Sequence, residues 1–95
     1  MASFTIRMVL HDYATALDYQ LLSNALALNN ITDVVMADNG TRWKMPPGEY
    51  QFVGNLTIQQ VHNICASAAN STRKRHSILI TELGGRFWTG LEQVS

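Results

Sequence analysis

The 95-residue chain has no excess charge of either sign, since seven Lys and Arg balance seven Asp and Glu. That balance excludes a global field that would draw nucleic acid or an anionic membrane, so any phosphate contact must come from a local patch. The single cysteine, Cys65, rules out an intramolecular disulfide. No apolar run approaches the ~18 residues needed to span a bilayer. The N-terminal Met1-Ala2-Ser3-Phe4 offers neither a basic n-region nor an apolar h-region, and a cytoplasmic location without membrane contact is the expectation. There is also no Gly-rich phosphate loop, no zinc-spaced Cys/His set and no Gly-X-Ser-X-Gly elbow, which leaves nucleotide hydrolysis and acyl transfer without support. Asn-X-Thr triplets at Asn30, Asn39, Asn55 and Asn70 read as turns and caps in a chain with no secretion signal.

What is present has the size and apolar content of one domain, residues 1–95, with one core. Phe4, Ile6, Met8 and Leu10 alternate with Thr5, Arg7, Val9 and His11, the period of a half-buried strand. From Tyr13 to about Leu28 the spacing becomes helical, with Leu17, Leu21, Ala25 and Leu28 as one stripe and Leu22 and Leu26 widening it. Ile31 to Ala37 reads as a second strand, Asp38-Asn39-Gly40 as a turn, and Thr41 to Met45 as a hairpin arm. Pro46-Pro47 donates no N–H and must interrupt any ladder. Glu49 to Val53 resumes alternation, Thr57 and Gln60 have capping-box spacing at the start of a second helix, and His76 to Thr81 forms a fourth strand. Phe87 to Leu91 adds a short fifth. The order is βαββαβ, which predicts an α+β, ferredoxin-like sandwich: a four-stranded antiparallel sheet with two helices on one face.

Three groups of residues carry chemistry. Asp12 follows the first strand directly; it can cap the first helix, or it can act as a proton acceptor or metal ligand. No cofactor is implied, and Mg²⁺ would need a second carboxylate or a phosphate beside Asp12, which two copies meeting across a dimer axis would supply. Arg73-Lys74-Arg75 is the one dense basic patch, and Arg42 and Lys44 flank Trp43 in a second, looser one. Basic residues with an interleaved aromatic suit single-stranded RNA through phosphate contact and stacking, while the plainer reading of each patch is a solvated loop. An RNA-recognition sheet would also need outward aromatics; strand one has none, and Tyr50 or Phe52 would have to provide them. Trp43, Phe87 and Trp88 fall in loop or edge segments, where large aromatics anchor interfaces. Cys65 lies on an apolar helix face and reads as a core residue.

The stretches Met8-Val-Leu-His-Asp12-Tyr13 and Val34-Val-Met-Ala-Asp38-Asn-Gly40 resemble the GhoS family of small ferredoxin-like endoribonucleases, over roughly the first two thirds of the chain. The archetype is an antitoxin that cuts its toxin's messenger RNA, and its fold is similar to that of the small CRISPR adaptation nuclease, where an Asp ending strand one lies at the dimer interface. The resemblance implies a homodimeric endoribonuclease with Asp12 near the chemistry and matches Asp38 to a second family aspartate. It departs on helix one, where the archetype carries arginines and Leu17 to Asn24 carries no basic residue. The positive charge would then reside at Arg42, Lys44 and Arg73 to Arg75. The competing expectation is a non-enzymatic, protein-binding module of phage or mobile-element origin that grips its partner with Trp43, Phe87 and Trp88.

Overall fold

The alternation in the first strand sorts its side chains as a half-buried strand should: Phe4, Ile6, Met8 and Leu10 are buried while Arg7 and Val9 are exposed. A computed structural model describes residues 2–84 and 90–94. In chain order the elements are β1 (Ala2–Leu10), α1 (Ala16–Ala27), β2 (Val34–Met36), β3 (Arg42–Lys44), β4 (Glu49–Gly54), α2 (Ile58–Asn70), β5 (His76–Glu82) and β6 (Glu92–Val94). They form an α+β fold with two three-stranded antiparallel sheets, ordered β4-β1-β5 and β2-β3-β6. Among the described residues no helix is long and apolar enough to cross a membrane.

The core lies between the β1 face of the first sheet and both helices. Leu22 and Leu26 from α1, and Val61, Cys65, Ala68 and Ala69 from α2, cluster with Phe4, Ile6, Met8, Leu10, Tyr50 and Phe52. Phe4 and Phe52 sit directly opposite in the ladder with ring centroids 6.4 Å apart. Burying each large side chain of this set contributes about 1.5–3 kcal/mol. Because Tyr50 and Phe52 are spent on that core, neither serves as an outward stacking platform.

The structure departs from these sequence expectations in four places. The first is the sheet. Among the described residues the central sheet has three strands rather than four, and the second strand expected from the sequence touches its edge through a single bridge, Thr32 to Gln51, with N–H···O distances of 3.1 and 2.7 Å. The tight turn at Asp38-Asn39-Gly40 explains the departure. It ties Val34–Met36 to Arg42–Lys44 rung by rung, and Met45 N–H then takes the Asp33 carbonyl at 2.7 Å, so the hairpin draws the chain off the sheet edge.

The second correction concerns the inner face of α1. Leu17, Leu21 and Leu28 are exposed, and the helix turns Tyr19, Leu22, Ser23 and Leu26 inward. Two hydroxyls decide this. The Tyr19 hydroxyl accepts the Leu10 N–H at 3.0 Å, and Ser23 and Tyr50 share a hydrogen bond of 2.9 Å, so the inner stripe contains polar anchors that apolar spacing cannot reveal.

Third, Asp12 does not cap α1. Thr15 is the N-cap: its hydroxyl accepts the Asp18 N–H at 3.3 Å, and the Asp18 carboxylate accepts the Thr15 N–H at 2.8 Å. The expected box at the second helix is present, Thr57 and Gln60 exchanging bonds of 3.1 and 2.8 Å. Fourth, the last strand is Glu92–Val94, which pairs with β3; of the expected Phe87–Leu91 strand, residues 87–89 lie outside the described residues and Gly90 and Leu91 are not in a strand.

Gly48 closes the loop that Pro46 and Pro47 open. Its φ is +81°, and a Cβ there would lie 2.9 Å from the Met8 carbonyl oxygen, while its own carbonyl accepts the Met8 N–H at 2.8 Å. Gly48→Ala should therefore lower unfolding free energy by about 1–3 kcal/mol in a urea titration. Thr15→Ala should cost about 1 kcal/mol by the same measurement, and Asp12→Ala should leave the helical circular dichroism of α1 unchanged.

Candidate functional site

β1 is central, and its end opens beside the start of β5. The His11 N–H donates to the Arg75 carbonyl at 2.7 Å, which closes the ladder one residue beyond Leu10. The chain then passes through two successive left-handed residues, Asp12 at φ 60° and Tyr13 at φ 59°. Asn and Asp tolerate this region and Tyr does not favour it, so the pair stores strain of order 1–2 kcal/mol per residue. On the facing connection Arg73 is also left-handed, at φ 61°.

What holds Asp12 there is Arg75. The guanidinium grips the carboxylate in a fork, Nη2 to Oδ1 at 2.6 Å and Nε to Oδ1 and Oδ2 at 3.0 and 3.1 Å, and the Arg75 backbone N–H adds a bond to Oδ2 at 3.3 Å. The Lys74 ammonium reaches the Asp12 backbone carbonyl at 3.1 Å. His11 Nε2 and Ser77 Oγ share a bond of 2.8 Å on the same end of the sheet. Two groups that the sequence separates by more than sixty positions, Asp12 and the basic run, thus form one exposed cluster.

The Arg75 hydrogen bonds, aided by the charges of Arg75 and Lys74, hold the Asp12 carboxyl down at about 2. A carboxylate so stable in its ionised form is a poor proton acceptor near neutral pH. Its negative charge is also already committed to Arg75. Among the described residues no group of three or more His, Cys, Asp or Glu is arranged to hold a metal ion.

The second basic patch lies elsewhere. Arg42, Trp43 and Lys44 make up β3 in the small sheet, where alternation separates the aromatic from the cations: Arg42 and Lys44 are exposed, and Trp43 is half-buried on the side of its partner Val35. The Trp43 indole N–H donates to Thr41 Oγ1 at 2.8 Å. Lys44 lines a cleft of about 710 Å³ between the two sheets, together with Arg7, Asp33, Glu49 and Glu92. Three carboxylates against two cations make that cleft a weak place to gather phosphates. Asp38 sits exposed on the β2–β3 turn, in a different sheet from the β1 end.

Cys65 is fully buried and burial pushes its thiol up to about 11, so it is an inert part of the core. Phe87 and Trp88 lie outside the described residues. The structure adds Lys74's contact to the Asp12 backbone and the His11–Ser77 pair to the site. Neither had a signal in the sequence beyond proximity to residues already singled out. Comparison with protein-family models, curated proteins and solved structures finds no match to this chain.

The ion pair exists only in the folded chain, so it has a pH signature. Because the folded-state value of Asp12 is depressed from 3.8 to about 2, its stabilising contribution is complete above about pH 4 and disappears as pH falls through about 2. Thermal melts should show wild type ahead of Asp12→Asn at neutral pH, with the gap closing across that acid window. Parallel stability curves for the two proteins would remove the ion pair from the account.

Proposed function

We propose that this protein binds single-stranded RNA at the β1–β5 end and acts there as an endoribonuclease, in keeping with the GhoS-like, ferredoxin-like expectation. The observation that carries the reading is the Asp12–Arg75 fork. Asp12 occupies the Nε and Nη2 side of the guanidinium, which orients the remaining Nη1 side and leaves it for an anion. Lys74, drawn to the same place by the Asp12 carbonyl, supplies a second cation. Phosphate recognition by two positioned cations fits a chain whose net charge is zero, because the attraction is local.

In this reading Asp12 is a positioning residue and acts through Arg75. Proton transfer falls to His11, since imidazole is the side chain most often used for that task and this one is already oriented by Ser77. The ribose 2′-hydroxyl would lose its proton to His11 and attack the adjacent phosphorus, with Arg75 and Lys74 holding the phosphate oxygens. The P–O5′ bond would break, leaving a cyclic phosphate, and the departing 5′-oxygen would take a proton from water to become a 5′-hydroxyl. A second reading, a protein-binding module, draws on the exposed apolar row Leu17, Leu21 and Leu28 along α1.

The test is labelled single-stranded RNA with the full chain, with and without Mg²⁺. Binding should weaken with salt, and Lys74→Ala and Arg75→Ala should each reduce the slope of log affinity against log salt by about 0.7. His11→Ala should abolish cutting and retain binding. Asp12→Asn should slow cutting at least about tenfold, with partial recovery in Asp12→Glu, which keeps the charge. Absence of RNA binding at low salt would overturn the reading, and capture of a protein lost on Leu17→Ser plus Leu21→Ser would favour the second.

A further inference from the structure

Among the described residues β5 is an edge strand of its sheet. Among the described residues its sheet partner is β1 alone. The direction of its backbone groups follows from the ladder. Leu83 N–H donates to the Ser3 carbonyl at 2.8 Å and His11 N–H to the Arg75 carbonyl at 2.7 Å, so the odd-numbered residues of this stretch bond to β1. The N–H and C=O groups of His76, Ile78, Ile80 and Glu82 therefore point away from it. The opposite edge of the sheet is partly closed, since Gln51 of β4 exchanges two bonds with Thr32.

Natural edges of this length are blunted by Lys, Pro or a bulge, and His76-Ser-Ile-Leu-Ile-Thr-Glu82 has none of these. Its sequence is complementary to itself when reversed. With two copies antiparallel about an axis through Leu79, His76 faces Glu82, Ser77 faces Thr81, Ile78 faces Ile80 and Leu79 faces Leu79. In that register every outward backbone group is used: four even-numbered pairs exchange eight hydrogen bonds. An imidazole meets a carboxylate at each end, hydroxyls meet hydroxyls, and apolar residues meet apolar residues at the centre. Leu79 is 65% exposed, and the pairing would cover it.

We propose that β5 is the self-association edge of this protein and that its occupant is a second copy of the same chain. The product is one continuous six-stranded sheet, ordered β4-β1-β5-β5-β1-β4, with the helices of both copies on one side. Arg75 lies opposite Leu83 of the second copy, so the two Asp12–Arg75 clusters stand roughly 26 Å apart along the seam. Each cluster is complete within its own chain, and the inference is independent of the RNA reading.

Variants of the full chain with one added cysteine test the register, because the one native thiol is buried. Leu79→Cys should form disulfide-linked dimers under mild oxidation, since paired residues on a twofold axis bring their Cβ atoms within about 5 Å. Ser77→Cys alone should not, while Ser77→Cys mixed with Thr81→Cys should. In sedimentation equilibrium, Leu79→Lys should raise the dimer dissociation constant at least about tenfold by placing two like charges face to face, with the circular dichroism spectrum unchanged. A monomer at about 0.1 mM, or cross-linking of Ser77→Cys as fast as that of Leu79→Cys, would overturn the proposal.

Discussion

The fold depends on one constraint, that β1 is hydrogen-bonded along both of its sides. Even-numbered residues bond toward β4, as the Met8–Gly48 contact shows, and odd-numbered residues bond toward β5. Side chains alternate with the same period, so the residues that face β4 with their backbone are also those that send Phe4, Ile6, Met8 and Leu10 into the core. A slip of one residue would invert both sets at once. Register, core and helix placement are therefore a single decision.

The consequences appear where β1 outruns its neighbours. β4 begins at Glu49, opposite Arg7, and the Met8 N–H is met by the Gly48 carbonyl just before it, so the next even-numbered N–H, that of Leu10, has no strand to bond. The Tyr19 hydroxyl takes that place and in doing so sets the rotation of α1, which exposes Leu17 and Leu21 and buries Leu22 and Leu26. On the other side His11 still bonds to Arg75, and this last rung brings the basic run beside Asp12. The left-handed backbone at Asp12 and Tyr13 persists because the fork to Arg75 and the Lys74 contact over-determine it.

Much of the local structure is legible in the residues. The alternation of Phe4 to Leu10, the box at Thr57 and Gln60, the turn at Asp38-Asn39-Gly40 and the break at Pro46-Pro47 each act over a few positions and each appears where spacing puts it. The inner face of α1 is not legible, because apolar spacing ranks leucines and is blind to a tyrosine recruited for its hydroxyl. The cap of that helix is misread for a related reason. Asp12 and Thr15 are both good N-cap types, and the choice between them depends on Arg75, a residue more than sixty positions away.

The sequence by itself determined the element types, the α+β class, the burial of Cys65 and the candidates Asp12, Arg73, Lys74 and Arg75, because these follow from periodicity, propensity and residue chemistry acting locally. Tertiary structure alone decided that Asp12 and Arg75 form one unit and that the second strand leaves the main sheet after one bridge. Those outcomes depend on which backbone groups remain unpaired once β1 has bonded on both sides. That condition exists only when distant segments are already in register, and so no single stretch of the chain encodes it.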